Sequence, residues 1–222
     1  MGRETQERLL CDFDGTIVTI DTAEYVLDRF VDKSWRILDE QFNRGEMSFE
    51  ESLRREFRMI TTDKEKILEY LDHAAQFRPN FEQLVKYCNT ESLPLTVVSG
   101  GIDFCIQHFI SSKQRYGRID LYAPTSQQTP NGIELTFPKP FSENSLNFKA
   151  DLTQHLRHQG YTVWYIGNGV ADLPAAKAAN FAFAVKSSSL HKLCEKENVP
   201  HKEFTDFQEV IASLVAMRAN PQ

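Results

Sequence analysis

The sequence predicts an α/β fold, in which a mostly parallel sheet carries helices on both faces and a helical unit is inserted after the first strand. Three observations predict it. Short apolar runs recur along the chain, each closed by a loop signal. Helical patterns separate these runs, the alternation expected of a parallel sheet. One stretch, from about 20 to 78, breaks the alternation and holds helical signals alone.

Leu9 to Asp12 reads as the first strand. Residues 93–99, "LPLTVVS", read as the second, 161–166, "YTVWYI", as the third, and 181–185, "FAFAV", as the fourth. Runs this continuously apolar suit strands buried on both faces. Within 20–78, "DTAEYVLDRFV" places Ala23, Leu27, Phe30 and Val31 on one helical face. Gly45 suits the end of a helix carrying Trp35, Leu38 and Phe42. Ser48 with Glu51 predicts a capping box before Phe49, Leu53 and Phe57. Thr62 with Glu65 predicts a second one before Ile67, Leu68 and Leu71. Residues 119–137, with "PNG" at 130–132, predict a hairpin excursion. Lys149 opens a helix running to Gly160, and "FQEVIASLVAMR" near the end predicts an amphipathic helix on the core.

Composition narrows the function. A chain of 222 residues suits one α/β core with room for a small inserted domain. A net charge of -6 argues against a nucleic-acid partner, which calls for a basic stripe. No apolar run approaches the ~20 residues that span a bilayer, so no membrane role is expected. The start, "MGRETQERLL", is too polar for a secretory signal. Cys11, Cys88, Cys105 and Cys194 show no CxxC spacing and are expected to be reduced, mostly buried thiols in a cytoplasmic protein. His155 and His158 lie on a polar helix and are expected to be solvated.

The chemistry gathers at predicted strand ends, where ligands of open parallel sheets bind. Asp12 and Asp14 follow the first strand. Such close carboxylates are either turn chemistry, since "DG" favours turns, or a pair that shares a divalent cation. In the second case one can attack an electrophile while the other moves protons. Ser99 follows the second strand with Gly100 and Gly101, whose N–H groups can approach an anion. Asn168 and Asp172 follow the third and can both present oxygen. Lys149 can offset the negative charge collected there.

Four motifs in order, "DFDGT" (12–16), "VVSGG" (97–101), Lys149 and "GNGVAD" (167–172), resemble the haloacid-dehalogenase-like phosphatase superfamily. The helical insertion resembles the small cap of its phosphoserine-phosphatase-like branch. The resemblance implies a Rossmann-like core over 1–19 and 79–222 and a cap over 20–78. It implies Asp12 as the nucleophile that becomes an aspartyl-phosphate, and Asp14 as the acid and base. Thr16 would help fix Asp14 and complete the phosphate site, and Ser99 with the Gly100 amide would hold phosphoryl oxygens. Lys149 would steady the charge on Asp12 and the phosphate. Mg2+ would bind Asp12, the Asp14 carbonyl and Asn168, with Asp172 in support.

One position departs from the pattern. The fourth motif usually opens Gly-Asp, and here it is Gly167-Asn168. An amide oxygen can ligate magnesium but brings no charge. The implied readings are a working phosphatase, or a weakened protein that binds a phosphorylated ligand without turning it over.

Substrate choice is expected in the cap. Asp21 is either an N-cap or a substrate contact. Phosphoserine phosphatases place an arginine near "MSFEESLRREF", where Glu56 falls here, with Arg54 and Arg55 within one register step. "CDFDGTI" with Asp21, and "VVSGGIDF", resemble the methionine-salvage phosphatases, which act on 2-hydroxy-3-keto-5-methylthiopentenyl-1-phosphate. Phe49 and Met47 would suit its apolar tail. The expected partner is thus a small phosphorylated metabolite, and the expected assembly a monomer or homodimer.

Overall fold

A computed structural model describes residues 6–143 and 145–219 of the chain. Residues 1–5, which open the polar amino-terminal stretch, lie outside the described residues.

Six strands form one parallel sheet. In chain order they are β1 (Glu7–Cys11), β2 (Leu95–Val98), β3 (Ile119–Tyr122), then β6 (Thr162–Gly167), β7 (Phe181–Val185) and β8 (His201–Phe204). The spatial order is β3-β2-β1-β6-β7-β8. A separate antiparallel pair, β4 (Thr125–Thr129) and β5 (Gly132–Thr136), makes the hairpin that turns at Pro130 and Asn131. The four predicted apolar strands are therefore the centre of the sheet. The excursion expected over 119–137 divides in two, because Ile119–Tyr122 leaves the hairpin and pairs in parallel with β2.

The alternation along each strand builds two cores. Leu9 and Cys11 point to one face and Leu10 to the other. Trp164, Ile166 and Phe183 join the first face, which is covered by α5 (Phe81–Thr90), α6 (Asp103–Ser111) and α10 (Phe207–Ala219). Val163, Tyr165, Ala182 and Ala184 join the second, under α7 (Phe148–His158), α8 (Leu173–Ala178) and α9 (Ser189–Glu197). Ala175 and Ala176 of α8 are buried there, and such small side chains let the helix sit close to the sheet. Phe207, Val210, Ile211 and Leu214 make the buried stripe of α10 at helical spacing.

Between β1 and α5 the chain forms α1 (Thr22–Phe30), α2 (Trp35–Asn43), α3 (Phe49–Arg58) and α4 (Lys64–Ala74). A bridge from Val18 to Phe77 brings the two ends of this stretch together. Asp21 caps α1 by accepting from the Glu24 N–H, and Ser48 caps α3 by accepting from the Glu51 N–H. The reciprocal half of that box is not made, since the Glu51 carboxylate pairs with Arg55 instead. Gly45 follows α2 in the left-handed conformation, as expected. The second capping box does not form, because α4 begins at Lys64 and puts Asp63, not Thr62, at the N-cap position. Thr62 instead uses its carbonyl to accept from Gln128 of the hairpin.

Among the described residues no helix is long and apolar enough to cross a membrane. All four cysteines are buried and unpaired.

Candidate active site

Three neighbouring strands end at the same level. Cys11 pairs with Val97 on one side and with Ile166 on the other. Asp12, Ser99 and Asn168 therefore leave adjacent strands within a few ångströms of each other, at the carboxyl edge. They line a cavity of about 660 Å³, closed on its far side by residues of α1, α2 and α3.

Asp12 is buried. Its Oδ1 accepts from Lys149 Nζ at 2.7 Å and its Oδ2 from Thr16 Oγ1 at 3.2 Å. Lys149 also donates to Asp172 Oδ1 at 2.7 Å, so one buried ammonium joins two buried carboxylates. Asn147 caps α7 by accepting from the Ala150 N–H, which fixes the turn that carries Lys149. The charges shift each other. Burial, then the Asp172 charge, pushes Asp12 up to about 7 against the pull of Lys149. Burial lowers the Lys149 pKa, but Asp12 and Asp172 together more than reverse that.

Asp14 is held by a residue that sequence reasoning missed. Thr22 donates to Asp14 Oδ1 from its N–H at 2.8 Å and from Oγ1 at 2.5 Å. Ser99 Oγ lies 3.5 Å from Asp14 Oδ2 and accepts from the Gly101 N–H at 3.0 Å. Burial, then the Asp21 charge, raises the Asp14 pKa well above the ordinary carboxylate range, against the Thr22 bonds. A shift in this direction favours the protonated form, the one that can give a proton.

Thr16 has a different place from the one expected. Its hydroxyl donates to Asp12 Oδ2 and, at 3.0 Å, to Asn168 Oδ1, and it is fully buried away from the cavity. It ties two strand ends together and touches neither Asp14 nor the phosphate side. The reason is the turn at Gly15, whose φ of 66° curls Thr16 back beneath Asp12. Arg78 braces this turn by donating to the carbonyls of Gly15 at 2.7 Å and Thr16 at 2.8 Å.

Asp172 is closed in. Its Oδ1 accepts from Lys149 and from Tyr165 OH, and its Oδ2 from the N–H groups of Asn168 and Gly169. Four bonds occupy its oxygens, so it orients Lys149 and the Asn168 loop and is not free to ligate an ion.

The oxygens left near Asp12 are hard donors of the kind Mg2+ takes. The structure brings together the Asp12 carboxylate and Asn168 Oδ1, which share the Thr16 hydroxyl, and the resemblance adds the Asp14 backbone carbonyl. Among the described residues no group of three His, Cys, Asp or Glu side chains could hold a metal. An ion here would lean on the carbonyl and the amide. The local charge fits one, since Asp12 and Asp172 outnumber the single Lys149. The set therefore suits magnesium.

On the far side, α3 presents Phe49, Ser52, Leu53 and Glu56 to the cavity, at helical spacing. That face excludes Arg54 and Arg55. Arg54 stacks over the Phe137 ring at 4.6 Å, and Arg55 pairs with Glu51 at the surface. Neither lines the cavity, so the substrate contact expected of them is not made, and Glu56 is the residue that faces inward. Phe49 packs where a Cβ on Gly100 would lie 2.6 Å from its Cζ. Asp21 lines the cavity while capping α1, and Met47 does not line it.

A pair of acids, a hydroxyl and a buried lysine thus meet at the carboxyl edge of the parallel sheet of an α/β protein. The chain belongs to the haloacid dehalogenase-like hydrolase family, whose profile matches residues 9–177. It is 28% identical over 211 residues to a 2-hydroxy-3-keto-5-methylthiopentenyl-1-phosphate phosphatase from Brevibacillus brevis, covering 93% of this chain and 94% of that protein. It is 30% identical over 215 residues to a protein of the same name from Geobacillus thermodenitrificans, again covering 93% and 94%. The fold is similar to that of a substrate-bound phosphoserine phosphatase, with a TM-score of 0.71 at 17% identity over 95% of this chain and 99% of that one.

Proposed function

We propose that this chain is a magnesium-dependent phosphomonoester hydrolase that works through an aspartyl-phosphate on Asp12. We propose 2-hydroxy-3-keto-5-methylthiopentenyl-1-phosphate, the compound in the names of its relatives, as the substrate. The observation that carries the reaction class is the convergence of Asp12, Asp14, Ser99 and Lys149 on one cavity at three adjacent strand ends.

In this reading Asp12 attacks phosphorus, and the bond from phosphorus to the substrate oxygen breaks. The proton on Asp14 passes to that leaving oxygen. Asp14, now ionised, takes a proton from water as the water attacks the phosphorus of the aspartyl ester. Inorganic phosphate leaves and Asp12 is regenerated. Lys149, Ser99 Oγ and the Gly100 N–H neutralise or hold the phosphoryl oxygens. Magnesium bound at Asp12, the Asp14 carbonyl and Asn168 would supply further charge neutralisation. The stretch 20–78 acts as a cap that excludes water over the core of 1–19 and 79–222. The expected setting is the cytoplasm.

Phosphoserine is the weaker reading, because a carboxylate would face Glu56 without an arginine beside it. A protein that binds without turnover is supported only by Asn168.

The test is phosphate release from the methylthiopentenyl enol phosphate and from phosphoserine, each with magnesium and with excess chelator. Metal-dependent release favouring the enol phosphate is expected. Preference for phosphoserine would overturn the substrate, and no release from either or from a wider phosphomonoester panel would overturn the phosphatase activity. For Asn168→Asp, the added charge is expected to lower the magnesium concentration for half-maximal activity about tenfold, or about 1.4 kcal/mol. An unchanged magnesium titration would remove Asn168 from the metal site.

A further inference from the structure

The cavity is one-sided in charge. The residues that α1 to α3 and the α1 cap contribute include Asp21, Glu24, Asp39 and Glu56, and no lysine or arginine. Its cations, Arg78, Lys149, Lys186 and Lys192, all come from the rest of the chain. Two polar groups in the acidic half are buried with bonding capacity unused. Glu56 is 8% exposed, and Ser52 Oγ, at 2.5 Å from Oε1, is its one hydrogen-bond partner among the described residues. Trp35 is 1% exposed, and its Nε1 has no partner there. Both residues line the cavity. Buried polar groups are normally paired, so a donor and an acceptor left open in one cavity point to a ligand that supplies both counterparts.

The two groups have fixed chemistry. The indole N–H only donates, and the Glu56 carboxyl, which burial pushes up to about 7, only accepts once it is ionised. An ammonium group could meet Glu56 but has no lone pair for Trp35. A carboxylate could meet Trp35 but would face Glu56 and three further acids. A hydroxyl beside a carbonyl satisfies both at once.

We infer that Glu56 and Trp35 form a subsite for an uncharged hydroxyl–carbonyl group on the substrate chain, with Glu56 accepting the O–H and Trp35 Nε1 donating to the neighbouring oxygen. Ser52 is the positioning residue that fixes the Glu56 carboxylate. The same acidic wall makes Glu56 a specificity determinant against carboxylate-bearing phosphomonoesters. This inference rests on the phosphomonoester reading for the orientation of the ligand, with its phosphate toward Lys149. It deepens that reading by assigning residues to the part of the substrate remote from phosphorus.

The test separates the subsite from turnover. Calorimetry on Asp12→Asn protein with magnesium compares dihydroxyacetone phosphate, which carries a hydroxyl and a carbonyl, with phosphoserine and phosphoethanolamine. Dihydroxyacetone phosphate is expected to bind at least tenfold tighter than either. Adding Glu56→Gln is expected to erase that preference over phosphoserine. Adding Trp35→Phe is expected to weaken dihydroxyacetone phosphate several-fold while leaving phosphoethanolamine unchanged, a split that a general packing defect does not produce. If Trp35→Phe fails to fold, Glu56→Gln alone decides. Tightest binding of phosphoethanolamine, a preference over phosphoserine that Glu56→Gln leaves within twofold of its original size, or no binding of any of the three would each overturn the subsite. Phosphate release by the native protein is scored separately. A native protein that releases no phosphate from the methylthiopentenyl enol phosphate, while the calorimetric preferences hold, would retain the subsite and lose the hydrolase reading.

Discussion

Asp12→Asn is expected to abolish turnover while raising the stability of the metal-free fold at neutral pH. The loss follows from chemistry, because an amide oxygen is a poor nucleophile and cannot form the acyl phosphate. A drop of about 10⁴-fold or more is expected, which is more than about 5 kcal/mol of transition-state stabilisation. The gain follows from burial. The Asp12 carboxyl is raised from 3.8 to about 7, first by desolvation and then by Asp172. Between those two values the folded state holds a proton that the unfolded chain has released. Stability must then fall as pH rises through that window. Asparagine has no such proton to lose, and it keeps an oxygen to accept from Lys149. Thermal unfolding in chelator should therefore show a larger gain for Asp12→Asn at pH 8 than at pH 4. A variant that keeps activity within tenfold of native would remove Asp12 as the nucleophile. A variant less stable than native at pH 8 would mean that the Lys149 attraction outweighs the cost of burial.

The site was legible where the physics is local and repetitive. Central parallel strands are buried on both faces, so "LLCD", "LTVV", "YTVWYI" and "FAFAV" stand out as apolar runs, and the groups that follow them are placed at once. The edge strands β3 and β8 lack that signal. "IDLY" and "HKEF" carry charged residues, which a strand with one open edge tolerates, and β3 was absorbed into the hairpin beside it. Hydrogen-bond partners were less legible than positions. That Thr22 and not Thr16 holds Asp14 depends on the turn at Gly15, which brings Thr16 under Asp12. Arg78 braces that turn from more than sixty residues away, and nothing local to "FRPN" announces it. The inward place of Glu56 was within reach, since Phe49, Ser52, Leu53 and Glu56 repeat at helical spacing and Arg54 and Arg55 do not.

Lys149→Met is expected to damage both stability and turnover, and the two losses should respond differently to repair. Lys149 is 4% exposed and donates to Asp12 and Asp172 at 2.7 Å each. Removing it leaves two buried carboxylates facing each other with no cation between them. Breaking a buried ion pair in this way costs about 3–5 kcal/mol. Burial lowers the lysine's own pKa, but Asp12 and Asp172 more than reverse that, so it stays charged and stabilising throughout the range below 10.5. Any pH dependence of the deficit between pH 5 and 8 must then come from Asp12, which burial and then the Asp172 charge push up to about 7. Acid protonates Asp12 and removes the repulsion between the pair, so the deficit in melting temperature should shrink toward pH 5 and be greatest near pH 8. A second change, Asp172→Asn, removes one of the two stranded charges and can still accept from Tyr165. The double variant is therefore expected to recover part of the stability at pH 8. It should recover none of the turnover, because the cation beside Asp12 and the phosphate is still missing. Measuring melting temperature and phosphate release on the single and double variants together decides the point. Recovery of turnover along with stability would show that Lys149 acts only by holding the fold. A Lys149→Met protein as stable as native at pH 8 would show that the methionine stem alone fills the site and that the charges screen one another without it.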